Sequence, residues 1–251
     1  MKIYLLACAV ILVSPVFAQE PMETDRPDQT ECSSIVPLHN LQIETGIVYT
    51  RNGKVQERYN YPTTLFRLGL LPSAELRIIG GEWQAENQRL KDSTSTKGFQ
   101  PVEIGTKIAV CQEKGIRPQT AFIGHLAFVP GDKQTKNRQA IVPNFRFSMS
   151  HSLTEIFSLG YNLGMEWEPF SAYPVYVYTA TFGASLNEKV YAYAEVFGDL
   201  AYASYPGCQA DGGLSYQPLR NLQFDVSAGL GLNDHSDDLY LSFGISWRLP
   251  R

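Results

Sequence analysis

The stretch IVPNFRFSMSHSLTEIFSLGYNLGMEWE, residues 141–168, decides the fold of this chain. Apolar side chains occupy every second position on both sides of a polar break at residues 151–154, and polar residues lie between them. Two such runs of about ten residues around a tight turn are typical of a β-hairpin with one apolar and one polar face. Such hairpins occur both in membrane-spanning barrels and in soluble β-sandwiches. The rest of the sequence has to decide between these two folds.

The N-terminus predicts a secreted protein. An apolar run at residues 3–17 follows Lys2 and ends at Ala18, which suits a signal peptide over residues 1–18. This run is too short to span a bilayer, and no other segment is a candidate helical span. Hydrophobic residues make up 44 % of the chain and the mean hydropathy is −0.17. That balance excludes a helical membrane protein, but it suits a β-barrel whose polar lumen residues offset its lipid-facing ones.

Beyond residue 38 the alternation repeats in about twelve segments, each roughly as long as a tilted membrane strand. The connections between them alternate between longer and shorter in chain order, as in outer-membrane barrels with short periplasmic turns and longer outer loops. A sandwich has no reason to sort its connections in this way, although it remains the alternative fold. The longest predicted loop, residues 84–100, is polar and rich in Ser and Thr. The twelve segments lie near 39–50, 59–70, 75–83, 101–111, 118–129, 139–150, 155–168, 174–186, 189–199, 209–217, 221–231 and 238–249.

Charged residues fall on the face opposite the apolar one. A buried sandwich core could not hold them, and an Arg or Lys facing lipid at mid-depth costs about 2–4 kcal/mol. We therefore predict an all-β fold, a transmembrane antiparallel up-and-down β-barrel of about 12 strands over residues 39–251. The predicted lumen-lining residues are Glu44, Arg67, Glu75, Arg77, Glu103, Lys107, Arg146, Glu166, Glu195 and Asp225.

Residues 19–38 have neither helical nor strand periodicity, and they predict an extended periplasmic lead-in. Its centre carries alternating charge at Asp25, Arg26 and Asp28. The lead-in either stays a solvated tail or enters the lumen as a plug and pairs with the wall.

Several phrases carry a family resemblance. They include TDRPD at 24–28, LQIETG at 41–46, PTTLFRLGL at 62–70, FSLGYNLG at 157–164 and DGGL at 211–214. Together they resemble the outer-membrane barrel family that is named for the meta-pathway of phenol degradation and often labelled as transporters. The resemblance covers nearly all of the mature chain. It implies a transporter-like outer-membrane protein, and it supplies no catalytic residues. From the topology of outer-membrane barrels in general we expect both termini in the periplasm. The resemblance also implies that this chain shares two elements with the family. They are the DRPD lead-in and the lumen charges Arg67, Arg77, Lys107 and Arg146.

The predicted function is passive movement of a small solute, aromatic or anionic, through a narrow charged lumen. Tyr191, Tyr193 and Phe197 share the parity of Glu195, so we expect them to face inward beside this polar strip. Opposite charges on neighbouring strands could instead pair and fill the barrel, which leaves a closed structural or surface-binding barrel as the alternative. The predicted partners are outer-membrane lipid and the solute, without nucleic acid.

Catalytic, metal and cofactor sites are not predicted. His151 and Ser152 are the adjacent His–Ser pair, but neighbouring strand residues face opposite sides. No His stands with Cys or acidic residues at metal-ligand spacing. Export removes Cys8, and we hypothesise that a Cys32–Cys111 disulfide ties the lead-in to the barrel mouth. Cys208 would then be unpaired on an outer loop.

Overall fold

A computed structural model describes residues 21–53, 56–89, 92–131 and 138–249, so the predicted signal peptide lies outside the described residues. Within these ranges no helix is long and apolar enough to cross a membrane. The strands are β1 (Leu41–Asn52), β2 (Gln56–Leu71), β3 (Ala74–Arg89), β4 (Asp92–Phe99), β5 (Val102–Cys111), β6 (Gln119–Val129), β7 (Ala140–Ser152), β8 (Phe157–Trp167), β9 (Pro174–Asn187), β10 (Val190–Leu200), β11 (Gly207–Leu219), β12 (Leu222–Gly231) and β13 (Leu239–Leu249).

The predicted barrel is confirmed. Each strand pairs antiparallel with its neighbour in the chain, except that β5 pairs with β3 across the β4 hairpin. The ring closes between the first and last strands, from Leu41 opposite Leu249 to Arg51 opposite Leu239. Closure of twelve strands, β1–β3 and β5–β13, satisfies backbone groups that an open sheet would leave exposed at its edges. The sandwich alternative is therefore wrong.

The two faces of the barrel differ as the alternation predicts, and β13 shows this most simply. Leu241, Phe243 and Trp247 are exposed on the outside, whereas Ser242 and Ser246 between them are buried. The same pattern in the other strands surrounds the barrel with an apolar belt and turns its charged residues inward. A polar interior inside an apolar exterior is the arrangement that a bilayer stabilises.

Two predicted loops are strands. The first, residues 51–58, contains the end of β1 and the start of β2, with Gly53 at a positive φ of 63° in the turn. The second, residues 84–100, contains the end of β3 and all of β4, which pair from Glu82 opposite Phe99 to Arg89 opposite Asp92. The sequence of β4, DSTSTKGF, is polar at both parities. Alternation cannot reveal a strand with polar residues on both faces, and this is why the prediction failed here.

The connections define two ends of the barrel. Five short connections lie at what we call the turn end: residues 72–73, 112–118, 153–156, 188–189 and 220–221. β1 begins and β13 finishes at this same end. The other connections lie at what we call the loop end.

Candidate functional site

The lead-in lies inside the barrel. From Met22 to Val36 it follows a path in which Met22, Asp25, Thr30, Ser33 and Val36 are buried. Its hydrogen bonds and ion pairs reach all twelve strands of the barrel, so it spans the lumen from wall to wall. The wall residues that it contacts in this way, in chain order, are Gln42, Glu44, Arg67, Glu75, Arg77, Lys107, Gln119, Arg146, Ser148, Ser150, Asn162, Thr179, Glu195, Gln217, Gln223, Asp225 and Ser242.

Three cations on adjacent strands form what we call the basic cluster: Arg67, Arg77 and Lys107. Strand register brings them together, because Arg67 lies opposite Arg77 and Lys107 lies opposite Glu75. All three side chains are fully buried. Like charges directly opposite each other are destabilising in a sheet, so carboxylates must compensate them.

Two wall carboxylates supply part of that compensation. Arg67 donates from Nε to Glu75 Oε1 at 2.7 Å and from Nη1 to Glu44 Oε1 at 2.9 Å. Arg77 Nη1 donates to Glu75 Oε1 at 3.1 Å. The cluster therefore has three cations against two wall carboxylates in direct contact.

The lead-in supplies two more carboxylates. Asp25 accepts from Lys107 Nζ at 2.7 Å and from Arg77 Nη1 at 2.6 Å, and Glu31 accepts from Arg77 Nη2 at 2.7 Å. Burial by itself raises the pKa of Asp25, but Arg67, Lys107 and Arg77 together hold that pKa well below its ordinary value of 3.8. Asp25 is thus bound as a carboxylate, through the short charge-assisted hydrogen bonds that are the strongest in proteins.

The opposite wall, formed by β10–β13, is acidic and aromatic, and we call it the tyrosine side. Glu195 lies opposite Asp211 in the register of β10 and β11. Tyr193 and Tyr240 donate their hydroxyls to Asp211 Oδ2, while Asp211 Oδ1 is buried without a partner among the described residues. Glu195 accepts from the lead-in, from the backbone N–H of Gln29 at 2.7 Å and from the Thr30 hydroxyl.

Arg26 crosses the lumen towards this side through a slot between two glycines. Gly46 of β1 and Gly244 of β13 are register partners. A Cβ at Gly46 would lie 2.4 Å from Arg26 Cζ, and a Cβ at Gly244 would lie 2.2 Å from Arg26 Nε. The slot brings Arg26 Nη2 to Asp225 Oδ1 at 2.9 Å and to Ser242 Oγ at 2.8 Å.

The remaining predicted lumen residues lie nearer the loop end. Glu103 accepts from Asn144 Nδ2 at 2.9 Å, and Arg146 pairs with Glu166. The structure therefore brings together six of the ten predicted residues around Asp25 or Arg26: Glu44, Arg67, Glu75, Arg77, Lys107 and Asp225. Glu195 holds another part of the lead-in. Arg146, which pairs with Glu166, lies 3.9 Å from the Glu31 carboxylate of the lead-in, and Glu103 is bonded to Asn144.

The aromatic residues expected to face inward lie against other lumen groups. Tyr193 is buried against Asp211, Phe197 packs edge-on to Tyr240 with ring centroids 6.3 Å apart, and Tyr191 places its hydroxyl 3.5 Å from Ser158 Oγ.

The hypothesised Cys32–Cys111 disulfide is wrong, because Cys32, Cys111 and Cys208 are all free cysteines. The lead-in turns into the lumen instead of following the barrel mouth. It carries Cys32 Sγ to 3.7 Å from Lys107 Nζ, while Cys111 Sγ stays at the turn end against the Pro118 carbonyl. Cys208 is also not in a loop, since it is the second residue of β11.

Sequence reasoning missed two carboxylates that matter here. Asp211 could have been found, because it shares the inward face of Glu195 once β10 and β11 are paired. Glu31 carried no signal, since it lies in a segment without periodicity. Neither Gly46 nor Gly244 could be recognised as a slot before the ring was closed.

The fold and this lumen define an outer-membrane β-barrel that carries an internal N-terminal segment. The chain belongs to the family described as "Putative MetA-pathway of phenol degradation", whose profile matches residues 24–249. No curated protein matches the chain.

Solved structures with a similar fold are named as porins and channels. The COG4313 outer membrane channel from Pseudomonas putida F1 is 6 % identical with a TM-score of 0.62, and the match covers 86 % of this chain and 98 % of that one. The NanC porin is 9 % identical with a TM-score of 0.55, covering 83 % and 100 %. The CymD monoaromatic hydrocarbon channel is 9 % identical with a TM-score of 0.50, covering 87 % and 90 %. At these identities the likeness establishes the fold.

Proposed function

We propose that this protein is a passive channel of the outer membrane, and that small solutes cross its lumen when the lead-in leaves its seat. The observation that carries this proposal is a polar lumen wall that holds a lead-in which, among the described residues, no disulfide ties to it. Hydrogen bonds and ion pairs join the two. Water can replace such contacts when the segment moves, whereas an apolar core would collapse or stay shut.

The two ends of the barrel support a proposed orientation in the membrane. Short connections and both ends of the barrel domain lie at the turn end. In outer-membrane barrels that end faces the periplasm, and the longer connections face outward. The apolar belt would contact outer-membrane lipid, and the lead-in would close the lumen from the periplasmic half.

The proposed solutes are small and anionic or aromatic. Arg67, Arg77 and Lys107 favour anions on one side of the lumen, and Tyr193 and Tyr240 offer aromatic surface on the other. The similar CymD structure is named as a monoaromatic hydrocarbon channel, which supports an aromatic solute for this chain as a proposal.

Catalysis is not part of the proposal. His151 Nδ1 lies 3.8 Å from Glu113, and the Ser152 backbone N–H donates to the same carboxylate. The Ser152 side chain has no hydrogen bond to His151 among the described contacts, so this pair lacks the nucleophile–base contact that acyl transfer needs.

A closed structural barrel is the second candidate. The contacts of the lead-in with every barrel strand favour it, because so many bonds would hold the segment permanently. The two candidates differ in whether the lumen ever conducts.

Single-channel recording in planar bilayers separates the two candidates. We expect the intact protein to stay mostly closed and a variant without residues 22–36 to stay open with stable conductance steps. A folded deletion variant that does not conduct would leave the closed structural barrel as the function. Faster migration of the unheated barrel on gels than of the heated protein would show that this variant has folded.

A further inference from the structure

The basic cluster has more positive charge than its own wall balances. Arg67 is paired twice by Glu44 and Glu75, but Lys107 has Asp25 of the lead-in as its nearest carboxylate in the described structure, at 2.7 Å. Arg77 shares Glu75 with Arg67 and gives its two terminal nitrogens to Asp25 and Glu31. When the lead-in leaves, Lys107 and the outer edge of Arg77 lose their anionic partners.

The cluster is also rigid. Arg67, Arg77 and Lys107 project from three hydrogen-bonded strands, and each is fully buried. Donors that are fixed before a ligand arrives bind it with little loss of conformational entropy. Two separate carboxylates already sit on Arg77, at 2.6 Å and 2.7 Å from Nη1 and Nη2. Arg67, Arg77 and Lys107 thus have the features of a ligand site.

We propose that the basic cluster is a binding site for small dicarboxylates, and that Asp25 and Glu31 occupy it as internal ligands. A solute with two carboxylates competes with the lead-in for Arg77 and Lys107 and so promotes the release of the lead-in. This inference rests on the proposed function and narrows the solute class to anions with two carboxylates.

Mass action gives the size of the increase in the population with the lead-in released. A solute that binds only when the lead-in is out raises the released population by the factor 1 + [L]/Kd, which is about tenfold at a concentration ten times Kd. A neutral solute of the same shape lacks the charge-assisted bonds and leaves that population unchanged.

The lead-in carries its own reporter. Cys32 is only partly exposed, and its Sγ lies 3.8 Å from Arg67 Nη1 and 3.7 Å from Lys107 Nζ, so release of the lead-in should raise its rate of labelling by a bulky maleimide. The experiment measures the labelling rate of Cys32 in the folded full-length barrel with Cys111→Ser and Cys208→Ser. Succinate is the probe, with succinamide as the neutral control and sodium chloride at equal ionic strength as the control for screening.

Two variants distinguish loss of the dicarboxylate site from loss of a contact that only holds the lead-in in place. Arg77→Gln removes the site and an anchor together, so basal labelling rises and the response to succinate disappears. Asp225→Asn loosens Arg26 on the opposite wall, so basal labelling also rises, but the relative response to succinate stays.

The inference predicts that succinate accelerates labelling by about tenfold at a concentration ten times Kd, as given by mass action, and that succinamide does not. Equal acceleration by sodium chloride and succinate, or an unchanged response in Arg77→Gln, would overturn it. Bilayer recordings keep the two proposals apart. If the deletion variant conducts but Cys32 labelling of the full-length protein does not respond to succinate, the dicarboxylate site alone is defeated. If Cys32 labelling responds to succinate but neither protein ever conducts, the channel alone is defeated.

Discussion

The two sides of the lumen wall hold the lead-in by different means. On the basic side, Asp25 and Glu31 form ion pairs with Arg67, Arg77 and Lys107. On the tyrosine side, among the described residues, the ion pair of Arg26 with Asp225 is joined by hydrogen bonds from the Gln29 backbone N–H and the Thr30 hydroxyl to Glu195. The lead-in therefore has Asp25 and Glu31 towards the cations and its one arginine towards an acid.

This difference indicates which changes in solution should affect each side of the lumen wall. Ionic partners on the basic side can be replaced by other anions, because only the charge and the donors are required. On the tyrosine side, Glu195 and Asp211 lie near Asp28, so the docked lead-in adds a carboxylate to an acidic wall. Solute anions should therefore act on one side and protons on the other.

The largest expected effect comes from breaking the basic side at its centre. Arg67→Ala leaves the buried Glu44 and Glu75 with less compensation, and removing one partner of a buried ion pair costs about 3–5 kcal/mol. Urea unfolding of the barrel in lipid measures this loss. Arg117→Ala, at an exposed turn, is the matched control and should change stability little. A loss for Arg67→Ala as small as that of the control would mean that water already screens the cluster.

The next largest loss of stability is expected where the wall touches the backbone of the lead-in. A Cβ at Gly69 would lie 2.2 Å from the Pro37 carbonyl oxygen, whereas a Cβ at Gly80 would meet nothing within 4 Å. Gly69→Ala should therefore cost about 1–3 kcal/mol by overpacking and weaken hydrogen-exchange protection of the lead-in. Gly80→Ala should leave both unchanged. Equal behaviour of the two variants would contradict the close approach of lead-in and wall.

Breaking the tyrosine side at its ion pair should have a smaller effect. Asp225→Asn keeps the shape and an acceptor for Arg26, but it removes the charge from a bond that is partly exposed on the arginine side. We expect a loss of about 1 kcal/mol, a typical net value for one hydrogen bond. Urea unfolding measures this loss, and hydrogen exchange should show it confined to amides near Arg26. A loss as large as that of Arg67→Ala would show that the two sides are equivalent.

The barrel could be predicted from the sequence, but the path of the lead-in could not. Alternation reports which face a strand residue occupies, and this places residues such as Arg67 and Trp247 correctly on opposite faces. The lead-in has no period, so Glu31 and Cys32 could not be assigned partners until the wall was built around them. Contacts such as Arg26 between Gly46 and Gly244 join the first and last strands, and they exist only after the ring closes. β4 escaped prediction for a different reason, because its residues are polar at both parities.

Protonation of Asp28 should have the smallest effect on docking of the lead-in, and it acts on the tyrosine side alone. The pKa of Asp28 is raised well above its ordinary value of 3.8, mainly by burial and next by the nearby Glu195. The pKa of Asp25, in contrast, is held well below that value. A carboxyl with a raised pKa opposes docking when ionised, and this opposition fades as the pH falls through the raised pKa. Asp25 stays ionised over the same range, so its ion pairs are retained. Mild acid should therefore tighten the lead-in.

Hydrogen exchange measures this tightening. The backbone N–H groups of Asp25, Gln29, Glu31 and Val36 all donate to wall side chains, so their peptides report docking. After correction for intrinsic exchange rates, protection should rise from neutral to mildly acidic pH, and Asp28→Asn should be better protected at neutral pH with a flatter dependence. Protection that falls with acid in both proteins would place the proton-sensitive contacts on the basic side, because only loss of the ion pairs of Asp25 or Glu31 would then loosen the segment.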